Sequence, residues 1–440
     1  MAERVLVASI NGTPVGELHD ANDVWSFRYD PAWLGSPHAF ALSPALPLQA
    51  PPLADGSTLR PVQWYFDNLL PEDGQRALLA RDASIRNEAD AFALLAHYGA
   101  ESAGSLTLLP PGRTPAAVPN LRPLSDAALD ARIHSLPSVP LTHGAVKRMS
   151  LAGAQHKLAV VLRDGALFEP GADTPSTHIL KPTHQMQEVY PHSVANEWFV
   201  MSLAARLKLD VPPVHRRYVP APVYLIDRFD RRLAPTGQWE RLHAIDACQL
   251  LNLPRTFKYD QGSVERLAQL AALCRAPAVA RARLFDWLVF NILVGNSDAH
   301  LKNLSFLVSD AGIALAPFYD LLSEAAYATR TYGKTGWPEA HRFAWPVLGV
   351  EFYGDFSRAL VLEAGRALGL TTVTAERRLD AMLRGIGPAA QALYELAEKQ
   401  NAAMAQERPA LTSGFAGELA CLRVIRFTVI ADMVRALSPA

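Results

Sequence analysis

Two short stretches determine how this chain is interpreted: GNSDAHLKN at residues 295–303 and FYD at residues 318–320. Asp298 and Asn303 stand five positions apart in the first stretch, and Asp320 closes the second. Two strand-like runs separate the stretches and predict a hairpin between them. Because loops at the ends of helices and strands can meet at one point, this order predicts two carboxylates and an amide that face one ligand.

The spacing of these three residues is typical of phosphoryl transfer in protein kinases. Asp298 is the predicted catalytic base, which accepts the proton of a substrate hydroxyl. Asn303 and Asp320 are the predicted magnesium ligands, since Mg²⁺ prefers hard oxygen donors. Each of the three could be an ordinary turn residue when taken alone. His300, between them, could donate to a phosphate oxygen or could bond a backbone carbonyl.

The composition allows a large core and argues against several classes of protein. Half of the 440 residues are hydrophobic, and the formal net charge of −1 argues against a polyanion binder. The sequence has no secretory signal and no apolar run long enough to span a bilayer. A protein that does not enter a membrane is therefore expected. The cysteines are far apart and odd in number, and no pair has the spacing of a zinc or redox motif, which favours a cytoplasmic compartment: Cys248, Cys274 and Cys421.

The apolar pattern predicts an α+β fold with two lobes, as in protein kinases. The N-terminal hairpin is predicted to turn at Asn11-Gly12. One helix is expected over residues 245–253 and another over residues 279–294, the latter ending at Gly295. The predicted segments are an N-terminal α/β subdomain (1–110), a proline-rich connection (111–143), a strand-rich lobe with a phosphate loop (144–244) and a mostly helical lobe (245–440).

Lys181 and the loop of residues 150–157 are predicted to hold the phosphates of ATP. A lysine at the end of a buried strand needs an anionic partner. The phosphates and Glu197, on the following helix, could supply one, and a solvated strand-end lysine is the alternative. Small residues in the loop would let backbone N–H groups approach the oxygens. The predicted loop contacts are Ala152, Gly153, Ala154, Gln155, His156 and Lys157.

The end of the last strand in this lobe, at Asp227, Arg228 and Phe229, is predicted to be the hinge that bonds adenine through its backbone. An exposed strand end is the alternative for Arg228. Tyr319, beside Asp320, completes the predicted ATP site. A basic run on a later predicted helix could bind nucleic acid, but a solvated helix face is the favoured interpretation: Arg377, Arg378 and Arg384.

Over essentially its whole length the chain resembles the HipA family, the serine/threonine-kinase toxins of bacterial toxin–antitoxin modules. The resemblance implies a two-lobed kinase that uses ATP and magnesium and phosphorylates a protein. The motifs that carry it occur in the family's order: FDNLLPE (66–72), SLAGAQHK (150–157), HILKP (178–182), YLIDRFDR (224–231), RLHAIDACQ (241–249), GNSDAHLKN (295–303) and APFYDLLS (316–323).

The resemblance also implies partners and a mode of regulation. The implied partner is a HipB-like helix-turn-helix antitoxin, with DNA contacted mainly through that antitoxin. The implied substrate is an aminoacyl-tRNA synthetase, which in characterised family members is the glutamyl enzyme. Autophosphorylation is implied at Ser150, where a phosphoserine would bring close to two negative charges beside the ATP phosphates. His156 stands where an acidic residue is common in the family.

Two other functions are compatible with the same residues. The chain could be a kinase-like, DNA-bound co-repressor with little kinase activity, or a kinase for a hydroxyl group on a small molecule. Retention of Lys181 together with the three residues of the catalytic motif argues against a pure scaffold. The N-terminal region of residues 1–110 favours a protein substrate, since a minimal small-molecule kinase does not need it.

Overall fold

The computed structural model describes residues 3–113, 121–145, 149, 151–153, 155–171 and 174–439. The strands in this part of the chain are β1 (Arg4–Ile10), β2 (Thr13–Ala21), β3 (Val24–Tyr29), β4 (Leu53–Ala54), β5 (Leu106–Leu109), β6 (Arg122–Pro123), β7 (Leu158–Arg163), β8 (Ala166–Glu169), β9 (His178–Pro182), β10 (Val214–Tyr218), β11 (Pro222–Asp227), β12 (Arg231–Leu233), β13 (Trp239–Arg241), β14 (Ala244–Asp246), β15 (Ser305–Ser309), β16 (Gly312–Leu315), β17 (Arg342–Val347) and β18 (Val350–Phe352).

The helices in the same part of the chain are α1 (Pro31–Leu34), α2 (Pro61–Asp67), α3 (Asp73–Asp82), α4 (Ala91–Tyr98), α5 (Asp126–His134), α6 (Ser193–Arg206), α7 (Ala247–Leu250), α8 (Val264–Leu273), α9 (Pro277–Val294), α10 (Arg358–Ala367), α11 (Thr372–Glu407), α12 (Thr412–Val424) and α13 (Ile430–Leu437). A π-helical segment, Ile425–Val429, joins α12 to α13. Among the described helices, none has the length and apolarity needed to cross a bilayer.

The chain divides into two compact units, which are described separately. Unit 1 comprises Met1–Pro182, Leu225–Phe257 and Ser305–Ala316, and unit 2 comprises Thr183–Tyr224, Lys258–Leu304 and Pro317–Ala440. Both strands and helices are abundant, as the α+β prediction requires. The segment boundaries predicted at residues 110, 143 and 244 stay predictions.

Unit 1 begins with a five-stranded antiparallel sheet in the order β4-β3-β2-β1-β5. Its first hairpin turns at Asn11-Gly12, and Ile10 pairs with Thr13 across the turn, as the sequence predicted. Buried residues alternate along β1, because successive side chains of a strand point to opposite faces. One face of this sheet therefore forms part of the core of the unit.

A second sheet in unit 1 carries the predicted phosphate-binding segments. The last residues of β11 belong to this unit and pair with β9. The strands β7, β8 and β6 follow β9 across the sheet in that order. The loop before β7 contains the predicted phosphate loop, and β9 contains Lys181. A third sheet, β14-β15-β16, includes the hairpin between the GNSDAHLKN and FYD stretches.

The helix predicted over residues 245–253 is wrong. Ile245 pairs with Phe306 within β14, and only the short α7 follows. Asp246 is responsible for the change, because its side chain accepts a bond from the Gln249 N–H (2.8 Å) while Gln249 Oε1 accepts from the Asp246 N–H (2.9 Å). Such a capping box marks the start of a helix. The apolar residues before Asp246 therefore belong to a strand.

Unit 2 is built around α9, most of whose side chains are buried. The helix ends at Gly295, as predicted, with a left-handed φ of +66°. A Cβ atom on Gly295 would lie 2.4 Å from the Ala325 Cβ and 2.8 Å from Val429 Cγ1. A glycine is therefore required here both by the backbone conformation and by the lack of space.

Candidate active site

The loop that carries Asp298 is fixed to the end of α9. The Asn296 side chain makes the connection: its Nδ2 donates to Asn291 Oδ1 (2.7 Å), and its Oδ1 accepts from the Asp298 backbone N–H (3.1 Å). Asn291 and Asn296 are both buried. The backbone of Asp298 is therefore positioned by a buried part of the helix, which gives the predicted catalytic base a rigid support.

Asn303 presents a carbonyl oxygen close to Asp298. It is buried and ends a 3-10 turn, Leu301–Asn303. Its Nδ2 donates to the backbone oxygen of Asp298 (2.8 Å), which fixes the orientation of the amide group. The Oδ1 atom is then the one that Asn303 can offer to a cation, and it is the type of ligand that Mg²⁺ prefers.

Asp320 has a left-handed backbone conformation, with a φ of +59°. Aspartate tolerates this conformation better than most residues. Backbone conformations that cost free energy occur mainly at functional sites. The neighbouring Tyr319 hydroxyl donates to the backbone oxygen of Lys302 (2.8 Å). This bond joins the FYD stretch to the loop of Asp298, so the two stretches that the sequence singled out lie together.

Negative charge is concentrated around these residues. Burial, followed by the charge of Asp298, raises the pKa of the Glu324 carboxyl to about 7, and Asp320 adds to the shift. A hydrogen bond from Ser297 Oγ to Glu324 Oε2 (2.8 Å) opposes it only in part. We refer to Asp298, Asp320 and Glu324 as the carboxylate cluster.

A divalent cation fits the carboxylate cluster. Carboxylates that lie close together are stabilised when a positive charge lies between them. Asn303 Oδ1 and the Asp320 carboxylate would hold the ion, as the spacing in the sequence predicts. When bound, a magnesium ion would neutralise charge on the phosphates of ATP. This assignment of ligands stays a prediction.

Tyr259 and His300 lie directly beside Asp298. The Tyr259 hydroxyl donates a hydrogen bond to Asp298 Oδ1. His300 Nε2 is 3.8 Å from the same oxygen, and its ring makes an edge contact with that of Tyr259, with 5.0 Å between centroids. Both roles considered for His300, phosphate donor and structural residue, are compatible with this position.

In unit 1, Gly153 and Lys157 shape the predicted phosphate loop. Gly153 has a φ of +106°, and a Cβ atom there would lie 2.6 Å from Lys157 Nζ, so the lysine crosses close over the loop. Ala152 is half-buried beside them, and Gln155 Nε2 donates to the backbone oxygen at the end of β9 (3.3 Å). Two predicted residues lie outside the described part of the chain: Ser150 and Ala154.

The same loop rests on the N-terminal subdomain. Gly153 forms a parallel bridge with Pro71, and His156 Nε2 lies 3.0 Å from Gln75 Nε2. Helix α3, residues 140–142 and the loop line one cavity. The buried His156 therefore has a protein partner, which the sequence did not reveal because Gln75 has no distinguishing pattern around it.

Lys181 and Glu197 are both buried, each in its own unit. Lys181 lies in β9, as expected, and its burial argues against the alternative of a solvated strand end. Glu197 lies in α6, and the pKa of Tyr224 is raised well above its ordinary value by burial and then by the charges of Glu197 and Asp320. Glu197 therefore belongs to the same acidic region as Asp320. The ion pair of Lys181 with Glu197 stays a prediction.

The Arg228 side chain belongs to a buried ion network in unit 1. Its Nη2 and Nε donate to Asp230 (2.6 and 2.9 Å), and its Nη1 donates to Ser176 Oγ (3.0 Å). The side chain is 1% exposed, which excludes the exposed strand end considered from the sequence. Its backbone N–H donates to the Thr177 oxygen (2.9 Å). We define the buried ion network as Glu101, Arg228, Asp230, Arg231 and Arg241.

The other two predicted hinge residues flank this network. Asp227 Oδ1 lies 2.9 Å from His178 Nε2 on the neighbouring strand, and Phe229 is half-buried. Their predicted backbone contacts with adenine stay predictions. In unit 2, Arg378 forms a two-pronged bond with Asp286 (2.7 and 2.9 Å), which supports a structural role for that part of the basic run.

Sequence reasoning missed Glu324 and Tyr259. Glu324 follows Asp320 by four residues, and an acidic residue just after the predicted metal ligand was the available signal. Tyr259 precedes Asp298 by 39 positions and lies in an irregular turn, where no periodicity marks a functional side chain.

Comparison with known proteins agrees with this picture. The HipA N-terminal domain matches residues 6–109, and the HipA-like C-terminal domain matches residues 149–389. A Sinorhizobium fredii protein named "Putative kinase Y4mE" is 38% identical over 339 residues, or 74% of this chain and 79% of the relative. The serine/threonine-protein kinase toxin HipA of Shewanella oneidensis is 33% identical over 338 residues, or 71% of this chain and 73% of the relative.

Similarity extends to a solved structure. That structure is the S. oneidensis HipA toxin in complex with HipB and its operator DNA. The match has a TM-score of 0.75 and 26% identity, and it covers 99% of this chain and 100% of the other. The fold and the site together define a kinase-like enzyme of the α+β class, as predicted. More specifically, the chain belongs to the HipA family.

Proposed function

We propose that this chain is an ATP- and magnesium-dependent serine/threonine protein kinase that acts as the toxin of a toxin–antitoxin module. The carboxylate cluster is the observation that carries the proposal. Asn303 is hydrogen-bonded to the backbone of Asp298. The charges of Asp298 and Asp320, together with burial, raise the pKa of Glu324. Asp298 as the proposed base, with Asn303 and Asp320 as the proposed ligands of a cation, therefore belong to one acidic region of unit 2.

Each residue has a distinct task in this function. Asp298 orients the substrate hydroxyl and accepts its proton as the phosphoryl group is transferred. Lys181 neutralises phosphate charge, and the loop of residues 150–157 covers the phosphates. The backbone of residues 227–229 bonds adenine, with the carbonyl oxygen as the group that Arg228 can offer, since its N–H donates to Thr177. His300 and Tyr319 complete the side of the site that faces the nucleotide.

The proposed partner is a HipB-like antitoxin, which would mediate most contacts with DNA. The S. oneidensis relative was solved together with HipB and operator DNA, and this supports the proposal. The proposed substrate is an aminoacyl-tRNA synthetase, with the glutamyl enzyme as the first candidate from the family resemblance. Ser150 is the proposed site of autophosphorylation, and the cytoplasm is the proposed location.

Transfer of labelled phosphate tests the proposal. Wild type and Asp298→Asn are incubated with Mg²⁺, ATP labelled at the γ-phosphate and a panel of aminoacyl-tRNA synthetases, and the labelled residues are mapped. We expect Asp298→Asn to lower the initial rate by about 10²–10⁴-fold, the usual contribution of a positioned base. Asp310→Asn is the matched control, since Asp310 lies in a hairpin turn and bonds His38. Equal labelling by wild type and Asp298→Asn would contradict the assigned base.

A DNA-bound co-repressor with little kinase activity is the second candidate. The operator DNA in the S. oneidensis complex is the observation that favours it. If folded wild type binds ATP but labels neither itself nor any synthetase, while it strengthens operator binding by its antitoxin, this second function replaces the first. If labelling depends on Asp298, the kinase function stands, whatever the effect on operator binding.

A further inference from the structure

Tyr259 makes the contact with Asp298 that a kinase substrate is expected to make. A serine or threonine that is about to be phosphorylated donates its hydroxyl hydrogen to the catalytic base. In the structure the phenol hydroxyl of Tyr259 donates to Asp298 Oδ1. Both groups reach the surface, since Tyr259 is 37% exposed and the Asp298 side chain 31% exposed. The carboxylate that the phenol bonds is therefore also accessible from solution.

The position of Tyr259 is fixed by its surroundings. The backbone oxygen of Lys258 accepts a bond from the Leu301 N–H (3.0 Å), which attaches this segment to the catalytic loop. The Gly262 N–H donates to the Tyr259 oxygen (2.9 Å) and closes a turn. The ring lies edge-on to His300. With the backbone held in this way, side-chain rotation is the movement that can bring the hydroxyl to Asp298 or away from it.

The inner side of the loop is held by different groups. Ser297 Oγ donates to Glu324 Oε2 (2.8 Å) and lies 3.0 Å from His341 Nε2. The backbone of Asp298 is bonded to Asn296, as described above. The backbone of the loop is therefore held by bonds that do not involve the phenol.

We propose that Tyr259 occupies the place of the acceptor hydroxyl at Asp298 in the substrate-free enzyme, and that a protein substrate must displace it. Tyr259 thus determines how readily an acceptor enters and raises the KM for that acceptor. This inference rests on the proposed kinase function. It concerns the step before phosphoryl transfer and adds no group to the chemistry itself.

Tyr259→Phe tests this inference because it removes the hydroxyl and keeps the ring beside His300. Initial rates are measured with Mg²⁺, ATP and a degenerate peptide library that contains one serine or threonine per peptide. We expect the KM for the library to fall about tenfold, as loss of one competing hydrogen bond to a charged group predicts. The kcat and the KM for ATP should change less than twofold. Tyr394→Phe is the matched control, since its hydroxyl accepts a bond from Arg423 on α12.

The possible outcomes separate the inference from the proposed function. If wild type is active and Tyr259→Phe has the same KM, or a lower kcat at the same KM, the inference is wrong and the kinase function stands. Phosphotyrosine at position 259 would also overturn it, because the residue would then be an acceptor and not a competitor. Activity in Tyr259→Phe alone would be the strongest support. If both proteins fold and bind ATP but neither is active, the kinase function fails, and the inference fails with it.

The contact itself can be checked without turnover. In protein with ring-labelled tyrosine, the NMR signal of Tyr259 is assigned by its loss in Tyr259→Phe. We expect Asp298→Asn to shift this signal and to leave that of Tyr394 unchanged. An unshifted Tyr259 signal would show that the phenol does not bond Asp298 in solution and would overturn the inference.

Discussion

The buried ion network of unit 1 pairs acids with arginines, whereas the carboxylate cluster of unit 2 brings acids close to one another. In the network, Glu101 accepts bonds from Arg231 (2.7 Å) and Arg241 (2.8 Å). Burial alone would raise the pKa of Asp230, yet Arg228 and Arg231 bring it below its ordinary value. In the cluster, by contrast, burial and neighbouring carboxylates both raise the pKa of Glu324.

This difference distinguishes a structural site from a functional one. The acids of the network have arginines of the same chain as partners, so each carboxylate is paired without a ligand. The cluster brings like charges together, which is unfavourable unless a proton or a cation reduces the repulsion. Removing one acid should therefore destabilise the network but relieve the cluster.

Glu101→Gln should cause the largest change, in the network. It leaves Arg231 and Arg241 buried without their carboxylate, and loss of one partner of a buried ion pair costs about 3–5 kcal/mol. Urea unfolding at pH 7, followed by circular dichroism, measures the loss. Glu240→Gln is the matched control, since Glu240 pairs with Arg232 at the surface and should cost at most about 1 kcal/mol. Equal losses in the two variants would show that the network contributes no more than a surface pair.

Glu324→Gln should stabilise the protein at high pH. The folded pKa of about 7 exceeds the ordinary value of 4.5, so the folded state keeps this proton longer than the unfolded state. Stability is therefore lost as the pH rises from about 4.5 to 7, by about 3 kcal/mol in total. The variant does not titrate there and should exceed wild type by this amount at pH 8, with a difference near zero at pH 4.5.

Thermal unfolding in EDTA between pH 4.5 and pH 8 measures this effect. Glu351→Gln is the control, because Glu351 forms an exposed ion pair with Arg342. A gain in stability that is the same at every pH would contradict the repulsion within the cluster and point to better packing by the amide.

Magnesium should have the smallest effect of the three. At pH 8, a free Mg²⁺ concentration tenfold above the dissociation constant should stabilise wild type by about 1.4 kcal/mol. Asp320→Asn should lose this stabilisation, and Asp310→Asn should keep it. The unfolding temperature is compared in MgCl₂ and in NaCl of equal ionic strength. Stabilisation of Asp320→Asn to the same extent would place the ion elsewhere.

Features specified by local sequence could be predicted well. The Asn11-Gly12 turn and the glycine that ends α9 are encoded by residues that lie next to one another. The segment at 245–253 was misread because its apolar residues fit a helix as well as a strand, and pairing of Ile245 with Phe306, 61 positions away, decides between them. Tertiary context overrides propensity in such short runs.

The residues of the candidate site also divide into those that a local motif reveals and those that only the fold brings together. The loop of Asp298 and Asn303 is a local motif and was visible in the sequence. Tyr259 comes from a distant turn, and its role depends on where the fold brings one hydroxyl. For Arg228, the sequence showed a charged residue at a strand end but could not show that Asp230 and Ser176 would surround it.

Gly295 has a consequence for how this chain can evolve. Its missing side chain leaves room for Ala325, just past the carboxylate cluster, and for Val429 in the π-helical segment near the end of the chain. The Ala325 N–H also donates to the Gly295 oxygen (3.0 Å). With glycine required at position 295, a larger residue at position 325 requires a smaller one at position 429. Among related sequences we therefore expect positions 325 and 429 to covary, which links substitutions in the π-helical segment to the preservation of the catalytic loop.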